Sequence, residues 1–506
     1  MSASGSLEAS AGTRPTSAGD FPLIFEKSHP ERRAWSLPEA NVDAPELDDL
    51  IPEEHRRPAP PALPEVSELD LVRHYTRLSQ RNWAIDVGAY PLGSCTMKYN
   101  PKVSEDAAAL PGFAALHPMV DDDLAQGALE LLGTLERALC EATGMARLTF
   151  QPAAGAQGEL TGLLMMRAFH TSNGDARRKV IIPDSAHGTN PASVSLAGYE
   201  AVEVRSNDRG LVDVDALEDV LDDQTAGLML TNPNTLGLFE RDIQRIQRAV
   251  HEVGGLLYYD GANFNSIVGV VRPGDMGFDI VHLNLHKTFA TPHGGGGPGS
   301  GPLAVSERLE RFLPAPVLVY DEGSEKWRWD HDRPDSIGRI HSFNGNFGIN
   351  VRAYTYLRSL GPKGLTRVAE RAVLNANYLK KRISHAFPAA HDEPCMHEFV
   401  SSAKPLKRYG VRAMDVAKRL IDLGYHPPTV YFPLVVEEAL MIEPTETESK
   451  ETIDGLADAL LQIAAEAEQD ADVLHDAPVT TPVRRPDEAM AARHLDIRWR
   501  PNDQAG

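Results

Sequence analysis

The chain is poor in cysteine and has no long apolar run. Three cysteines, Cys95, Cys140 and Cys395, occur in 506 residues. Thiols that are so few and so widely spaced exclude a disulfide framework or a four-thiolate metal site, and they favour a reducing cytosol. Residues 1–20 lack the apolar stretch of a signal peptide, and no later run is long enough to span a bilayer. We therefore expect a cytoplasmic protein that does not bind a membrane.

Basic residues are also in the minority. The sequence has 50 Lys and Arg against 72 Asp and Glu, which gives a formal net charge of -22 at pH 7. This excess promotes solubility and argues against nucleic acid as the main partner. The hydrophobic fraction of 42% and the charged fraction of 24% are typical of a soluble globular protein. The chain is too long for one simple core, so we expect two or three packed subdomains.

Three regions differ in composition. Residues 1–65 form a polar tail followed by a proline-rich, charged arm, which we expect to be extended and to reach a neighbouring subunit. Between residues 66 and 350, short apolar runs alternate with amphipathic helices. This rhythm predicts an α/β domain with a mostly parallel sheet and helices on both faces. Residues 351–506 contain helical stretches that predict a smaller α+β domain.

The strands of the α/β region can be placed by their apolar runs. The main candidates are Lys179–Pro183, Ala226–Thr231, Gly254–Asp260 and Asp279–His286. Between the second and third runs, Ile243, Ile246, Val250 and Val253 recur at helical spacing, and Gly254 is positioned to stop that helix. Residues 302–305 form another apolar segment, which we expect to return antiparallel at the edge of the sheet.

Polar side chains follow each of these strands. His187 follows the first, Asn232 and Asn234 follow the second, Asp260 ends the third, and Lys287 follows the fourth. Ligands of open α/β sheets bind beyond the carboxyl ends of the strands. The sequence therefore predicts an imidazole, a polar loop, a carboxylate and an amine at one edge.

The combination of Lys287 and Asp260 indicates pyridoxal phosphate chemistry. Taken singly, Lys287 fits an exposed lysine at a strand end, Asp260 a turn or helix-cap carboxylate, and His187 an ordinary loop histidine. Pyridoxal phosphate requires a lysine that forms a Schiff base and an acid that pairs with the pyridinium nitrogen. Both types are present, separated by enough chain for one loop and one strand.

The strand before Lys287 has one polar face. Its apolar residues share one side, whereas His282, Asn284 and His286 share the other. A central parallel strand is normally apolar on both sides, so the polar face indicates a phosphate or a polar cofactor pocket.

A metal site on His282, His286 and His293 is the alternative for this face. Imidazoles on one face of a strand can converge on a cation. No nearby carboxylate completes the ligand set, and the amine of Lys287 would lie against the cation, so we favour the cofactor pocket.

Two glycine-bearing loops border these elements. The loop Gln151–Leu160 precedes a predicted helix whose N-terminal amides could hold a phosphate, although a plain helix-start loop fits equally well. The loop His293–Pro302 lacks the Lys and Ser/Thr of a nucleotide-binding P-loop. We interpret it as a mobile connection close to the active site, with a flexible hairpin as the alternative.

Several motifs resemble those of the P-protein family of the glycine cleavage system, in particular its subunit 2 type, glycine dehydrogenase (decarboxylating). They extend from near the N-terminus past residue 340. The matching stretches are YPLGSCTMKYNP (Tyr90–Pro101), QPAAGAQGEL, DSAHGTNPAS, TNPNTLGLFE, YYDGANFNSI, HLNLHKTFATPHGGGGPGSGP and SFNGNFG.

This resemblance implies a fold-type-I pyridoxal-phosphate enzyme and assigns expected roles. Lys287 would bind the cofactor covalently, Asp260 would pair with its ring nitrogen, and His187 would stack on its ring. Asn263 would face the phenolic oxygen. The expected phosphate contacts are Gly155, Ala156 and His286, with Asn284 a weaker candidate.

The resemblance leaves the substrate contacts open. Ser94, Cys95 and Thr96 would face the substrate, with a structural loop as the competing interpretation. Arg339 and Lys98 are candidates for the glycine carboxylate, although we favour a solvated surface position for both.

The implied activity is that of a decarboxylating, aminomethyl-transferring glycine dehydrogenase, an oxidoreductase. Glycine would lose carbon dioxide, and its aminomethyl group would pass to the lipoyl arm of the H-protein. The implied partner is the homologous P-protein subunit 1, in a heterotetramer with two of each chain. An aminotransferase or a cysteine desulfurase is the nearest alternative. A non-catalytic half of an assembly would be expected to lack Lys287 or Asp260.

Overall fold

The computed structural model describes residues 21–39, 41–43, 45–59, 61–295 and 299–497. Its contacts divide the chain into two compact units, one from residues 1–84 and 478–506 and one from residues 85–477. In the described part of the first unit, residues 21–63 contain only short helical turns. No described helix combines the length and the apolar character needed to cross a membrane.

The α-helices vary from single turns to a helix of 37 residues. In chain order they are α1 Leu47–Leu50, α2 Glu68–Ser79, α3 Lys102–Ala108, α4 Pro111–Ala114, α5 Gln126–Thr143, α6 Gly155–Ser172, α7 Thr189–Leu196, α8 Val214–Val220, α9 Ile243–Glu252, α10 Leu285–Thr288, α11 Phe347–Ile383, α12 Ala413–Asp422, α13 Lys450–Gln469, α14 Asp472–Asp476 and α15 Glu488–Arg493. The 3-10 helices are Ile24–Lys27, Glu53–His55, Asp122–Leu124, Phe264–Ser266, Pro273–Met276, Glu307–Phe312 and Lys404–Tyr409.

The strands form a large central sheet, a small three-stranded sheet and a hairpin. They are β1 Arg147–Thr149, β2 Lys179–Pro183, β3 Glu200–Val204, β4 Thr225–Thr231, β5 Leu256–Gly261, β6 Ile280–Leu283, β7 Leu303–Val305, β8 Val317–Asp321, β9 Lys326–Asp330, β10 Phe399–Ser402, β11 Thr429–Val430 and β12 Ala439–Ile442. The order is β1-β7-β6-β5-β4-β2-β3 in the central sheet and β10-β12-β11 in the small sheet, and β8 pairs with β9.

The predicted α/β architecture with a mostly parallel sheet is confirmed. Strands β3, β2, β4, β5 and β6 pair in parallel, and β7 runs antiparallel to β6. The expectation that residues 302–305 would lie at the sheet edge was wrong. Strand β1 pairs with the other side of β7, which makes β7 an inner strand.

The central strands are buried on both faces because alternate residues enter two different cores. On β4, Leu228 and Leu230 join one core, while Met229 joins the other. On β5, Tyr259 joins the same core as Leu228, and Tyr258 joins the same core as Met229. Two buried faces explain why these strands read as continuous apolar runs in the sequence.

The predicted crossover helix before β5 is confirmed as α9. Its buried residues are Ile243, Ile246 and Val250, at the helical spacing read from the sequence. The chain turns at Gly254, where φ is +77°, a left-handed conformation that glycine adopts without a steric penalty.

A further core lies around the small sheet. It contains residues of α12, α13, β10 and β12 together with Ala376, Leu379 and Ile383 of α11. Earlier residues of α11, from Val351 to Ala369, belong to the first core of the central sheet. Helix α11 therefore contributes to both cores, and it is kinked at Gly361, which precedes a proline. The domain division at residues 65 and 350 stays a prediction.

Candidate active site

Lys287 and Asp260 lie at the same edge of the central sheet. Lys287 is in α10, which follows β6 directly, and Asp260 lies near the end of β5. The two strands are parallel neighbours, with Asp260 opposite His282 and Gly261 opposite Leu283. The positive charge of Lys287 lowers the pKa of Asp260, which shows that the two groups lie within electrostatic reach.

Asp260 is a buried carboxylate with a complete set of donors. Asn190 donates to Oδ2 at 3.0 Å, the backbone N–H of Ala262 donates to Oδ1 at 2.9 Å, and His282 Nε2 lies 3.2 Å from Oδ1. Burial alone would raise the pKa of Asp260, but His282 and these donors hold it below its usual range. Asp260 is therefore a stable negative charge at neutral pH.

His282 connects Asp260 to a buried phenol. Its Nδ1 lies 2.9 Å from the hydroxyl of Tyr258, and both side chains are buried. Both contacts are satisfied when the Tyr258 hydroxyl donates to Nδ1 and the Nε2–H donates to Asp260. On the polar face that was predicted from the sequence, His282 is therefore bound by two protein side chains, Asp260 and Tyr258.

The three histidines of the metal alternative do not form one cluster. His286 Nδ1 contacts the backbone of Ser300, and its ring centroid lies 4.9 Å from that of His293, whereas His282 bonds to Asp260. Within the described residues, the groups with suitable ligand spacing are Glu159, Asp260 and His282, and His397, Glu398 and Glu443.

His187 follows β2 and is held by a polar network. Its Nδ1 lies 3.0 Å from the hydroxyl of Thr189, which donates to Glu159 at 2.8 Å. Ser193 donates to the other oxygen of Glu159 at 2.8 Å. Since Thr189 and Ser193 both belong to α7, this helix fixes the ring of His187 at the sheet edge.

The amine of Lys287 contacts the loop that contains Ser94. Its Nζ donates to the carbonyl of Ser94 at 3.0 Å, and the N–H of Ser94 donates to Glu398 Oε2 at 2.7 Å. Ser94 has φ of +66°, a left-handed conformation that is uncommon for a residue other than glycine. The hydrogen bonds on its two sides stabilise this conformation.

Two more glutamates hold the same loop. Thr96 donates its hydroxyl to Glu443 at 2.6 Å, and Lys98 pairs with Glu446 at 2.7 Å. The surface position expected for Lys98 was wrong, because its side chain is only 1% exposed. In contrast, Arg339 is exposed and donates to the carbonyl of Ser342.

The remaining predicted cofactor contacts lie on three segments. Asn263 follows β5 and donates to Glu398 Oε1 and to the carbonyl of Pro233, both at 3.0 Å. Gly155 and Ala156 begin α6, whose N-terminus has no side-chain cap.

Asn284 and His286 flank the start of α10. A Cβ added at Gly155 would lie 2.4 Å from Asn284 Nδ2, so a larger residue there would have to displace the buried side chain of Asn284. Burial lowers the pKa of His286 to about 3, so its ring is neutral. Its Nδ1 accepts from the N–H of Ser300, in the glycine-rich loop, of which residues 296–298 lie outside the described residues.

Family models match most of the chain. The model described as "Glycine cleavage system P-protein" matches residues 40–326, and the model described as "Glycine dehydrogenase, C-terminal domain" matches residues 368–481. The chain belongs to the glycine cleavage system P-protein family. The resemblance drawn from the sequence motifs is therefore confirmed.

Relatives within this family are similar over almost their full length. The probable glycine dehydrogenase (decarboxylating) subunit 2 of Caldanaerobacter subterraneus is 57% identical, over 94% of this chain and 98% of the relative. The protein of the same name from Bacillus licheniformis is 59% identical, over 95% and 99%.

Solved structures show the same fold at low identity. A glycine decarboxylase (P-protein) of the glycine cleavage system, in inhibitor-bound form, has a TM-score of 0.69 at 22% identity and covers 83% of this chain and 95% of its own. A Lactobacillus brevis glutamate decarboxylase has a TM-score of 0.63 at 14% identity and covers 82% and 97%. The predicted fold-type-I class of this P-protein family member is thus confirmed.

Reasoning from the sequence missed two glutamates of the site. Glu398 directly precedes β10, and Glu443 directly follows β12. Each is a charged residue next to an apolar strand, and only Glu443 lies at a carboxyl end, which is the signal that identified Asp260. The signal was not used because it lies in the C-terminal region, outside the family motifs recognised in the sequence.

Proposed function

We propose that this chain is the lysine-bearing subunit of a glycine cleavage P-protein. It decarboxylates glycine with pyridoxal 5'-phosphate and transfers the aminomethyl group to the lipoyl arm of the H-protein. The observation that carries this proposal is the position of Asp260 near the end of β5 and of Lys287 just beyond the neighbouring strand β6, in a P-protein family fold, with Asp260 held ionised. A non-catalytic half would not need either residue.

The residues present fit the cofactor. Lys287 offers a half-buried amine, Asp260 a buried negative charge, and the uncapped N-terminus of α6 offers N–H groups to a phosphate. The close approach of Gly155 to Asn284 leaves no side chain over that N-terminus. When bound, pyridoxal phosphate supplies an aldehyde for the substrate amine and a ring that accepts the electrons released with carbon dioxide.

The protein residues have distinct tasks in this mechanism. Asp260 holds a negative charge where a protonated ring nitrogen requires one, and His282 and Asn190 keep that carboxylate oriented. His187, fixed through Thr189, provides a flat surface for the cofactor ring. Lys287 would hold the cofactor through its amine and, as a free amine, would move protons within the site, where the carbonyl of Ser94 accepts its hydrogen bond.

We further propose that the partner is the homologous subunit 1, with two copies of each chain. The subunit 2 names of the relatives support a second subunit. In the first unit, Trp35 and Leu37 are 73% and 80% exposed, which suits a segment that packs on another chain. The lipoylated H-protein is the second partner. The three cysteines, all free, suit a cytoplasmic location.

A visible absorption spectrum tests the cofactor assignment. We expect added pyridoxal phosphate to give a band in the wild-type chain, with or without subunit 1, that Lys287→Ala abolishes. The control is Lys102→Ala, which removes an exposed lysine paired with Asp86 and should leave the band unchanged. A band of equal strength in Lys287→Ala would contradict the proposal.

Another fold-type-I activity, such as that of an aminotransferase or a cysteine desulfurase, is distinguished by the product. With subunit 1 and lipoylated H-protein present, we expect carboxyl-labelled glycine to release labelled carbon dioxide. Amino-group transfer that depends on a keto acid, without carbon dioxide release, would favour the alternative instead.

A further inference from the structure

Two buried glutamates lie together at the end of the small sheet. Strands β10 and β12 are antiparallel, with Phe399 opposite Ile442. The next residues outward are Glu398 and Glu443, which the strand register places side by side. Their exposures are 0% and 1%, and ligand atoms of His397, Glu398 and Glu443 all lie within 4.8 Å of one another. The site described above uses Glu398 only as a hydrogen-bond acceptor and assigns no chemistry to either glutamate.

The donors around this pair do not satisfy two carboxylates. Glu398 accepts from the N–H of Ser94 and from Asn263, and Glu443 Oε1 accepts from Thr96. Glu443 Oε2 is buried, and no described residue donates to it. An unpartnered buried carboxylate oxygen carries a large desolvation cost unless the group is protonated.

The cations around the pair are also too few to neutralise two ionised carboxylates. Burial and the field of Lys287 lower the pKa of His397 to about 3, so that ring is neutral. Neither of its nitrogens has a hydrogen-bond partner among the described residues, although Nε2 lies 3.9 Å from Glu398 Oε1. Lys98 is already paired with Glu446. The amine of Lys287 is the cation whose field lowers the pKa of both Glu398 and Glu443. One ammonium cannot balance two buried carboxylates, so one proton is required.

We propose that Glu398 and Glu443 hold one proton between them at neutral pH and form a proton-exchange site for the amine of Lys287. The proposal rests on the proposed function, in which Lys287 is the reactive amine. The amine and the pair are neighbours because both bind Ser94, whose carbonyl accepts from Lys287 and whose N–H donates to Glu398. These backbone groups hold the two partners in place and do not carry the proton, which passes when the amine turns from the Ser94 carbonyl to the ionised carboxylate.

The proton balance of the exchange is closed. The ammonium of Lys287 must lose one proton before its nitrogen could bond to an aldehyde carbon, and its two remaining N–H protons would then leave with the aldehyde oxygen as water. The ionised carboxylate of the pair accepts the first proton, and the pair then holds two. A substrate amine that replaced Lys287 on that carbon would give its two N–H protons to the lysine nitrogen. The free amine of Lys287 would then take the stored proton back, and the pair would again hold one.

The titration of the pair supports this assignment. Burial raises the pKa of Glu398 to about 7. Burial and the neighbouring charge of Glu398 raise the pKa of Glu443 well above its usual range. The other titratable groups around the pair are Cys95, whose pKa is raised by burial, His397, and Glu446 in its ion pair with Lys98. Glu443 is thus the better holder of the resting proton.

Infrared spectroscopy of the cofactor-free protein tests the proton directly. At about pH 8, above the pKa of Glu398, we expect a carbonyl-stretching band of a protonated carboxyl group that is largely lost in Glu443→Gln. The amide of glutamine still accepts from Thr96, so this variant preserves the fold. The matched control is Glu466→Gln, because Glu466 pairs with Arg419 at 2.8 Å and is ionised. An unchanged protonated-carboxyl spectrum in Glu443→Gln would overturn the proposal.

The pH dependence of glycine decarboxylation tests the exchange. In Glu443→Gln a neutral amide replaces a carboxyl group that is already protonated, so the acidic limb of the rate profile, which reports the ionisation of Glu398, should stay at its wild-type position. In Glu398→Gln that limb should disappear, whereas the cofactor absorption band should remain in both variants. A Glu398→Gln profile identical to wild type would refute the exchange, and a limb moved to lower pH in Glu443→Gln would show that Glu443 is charged and does not hold the resting proton.

Two further outcomes separate the possible failures. Absence of a cofactor band in the wild-type protein would refute the proposed function, while the infrared result would still report the shared proton. A divalent cation bound in stoichiometric amount to the purified protein and lost in Glu443→Gln would show that a metal ion, and not a proton, neutralises the pair.

Discussion

Asp260 and the Glu398–Glu443 pair are both buried carboxyl groups within the field of Lys287, and they differ in their partners. Asp260 has an amide, a backbone N–H and an imidazole on its two oxygens. Glu443 accepts from the hydroxyl of Thr96 with one oxygen, and no described residue donates to its other oxygen. The comparison teaches that burial alone does not decide the charge of an acid. The number of donors and the sign of the nearest charges decide it.

The largest expected effect comes from removing the negative charge of Asp260. Asp260→Asn leaves a group of equal size that can no longer hold a protonated ring nitrogen. We expect glycine decarboxylation to fall by about a thousandfold, while the cofactor absorption band remains. Carbon dioxide release from carboxyl-labelled glycine measures the loss. A variant with near wild-type turnover would show that Asp260 does not set the electron sink.

Glu446 provides a third case for this comparison, because its carboxylate is shielded from solvent and is paired with the ammonium of Lys98. Lys98 bonds to Glu446, to Asn265 and to the hydroxyl of Tyr356. Lys98→Met leaves the carboxylate unpaired, and we expect the unfolding free energy to fall by about 3–5 kcal/mol. Chemical denaturation measures this change.

The exposed ion pair Lys102–Asp86 is the control for Lys98. Lys102→Met should cost less than about 1 kcal/mol. Equal losses for the two substitutions would mean that the burial of Lys98 has no energetic weight.

His282 tests whether the imidazole is needed, in addition to the donors Asn190 and Ala262, to keep Asp260 charged. His282→Gln removes the imidazole, and we expect kcat to fall about tenfold to a hundredfold with little change in KM. The cofactor band should also become more sensitive to pH, because the pKa of Asp260 rises. The control is His170→Gln, which removes a buried histidine that bonds to the carbonyl of Ala226. An unchanged pH response would reduce His282 to a packing role.

The smallest expected effect is on the pH dependence of stability. Glu398 has a folded-state pKa of about 7, above the ordinary value of 4.5, so the folded protein binds the extra proton between these values. Its contribution to stability is present at low pH and is lost as pH rises through this window. Denaturation midpoints at about pH 5 and about pH 8 measure this slope, which should be flatter in Glu398→Gln. A steeper slope would contradict the assignment.

The central sheet could be predicted in some detail because its signals are local. The apolar runs of β4 and β5, the helical spacing in α9 and the polar residues at strand ends follow from short stretches of sequence. Asp260 and Lys287 were found in this way. The same reasoning predicted that β7 is antiparallel but not its inner position, because the pairing of β1 with β7 depends on a strand more than 150 residues earlier.

The second half of the site could not be predicted because its contacts are distant in sequence. Lys98 meets Glu446 and Tyr356 across separations of 348 and 258 residues. Glu398 and Glu443 become neighbours only through the register of β10 and β12. A composition or spacing pattern carries no information on such pairings. The roles predicted for Gly155, Ala156, Asn284 and His286 stay predictions.

Helix α11 limits how the site can open and close. The change from the first core to the core of the small sheet falls between Ala369 and Ala376, in an unbroken part of the helix beyond the kink at Gly361. Because this part of the helix is continuous, one element carries residues of both cores, and any relative movement of the two cores would have to bend the helix or repack one of its faces.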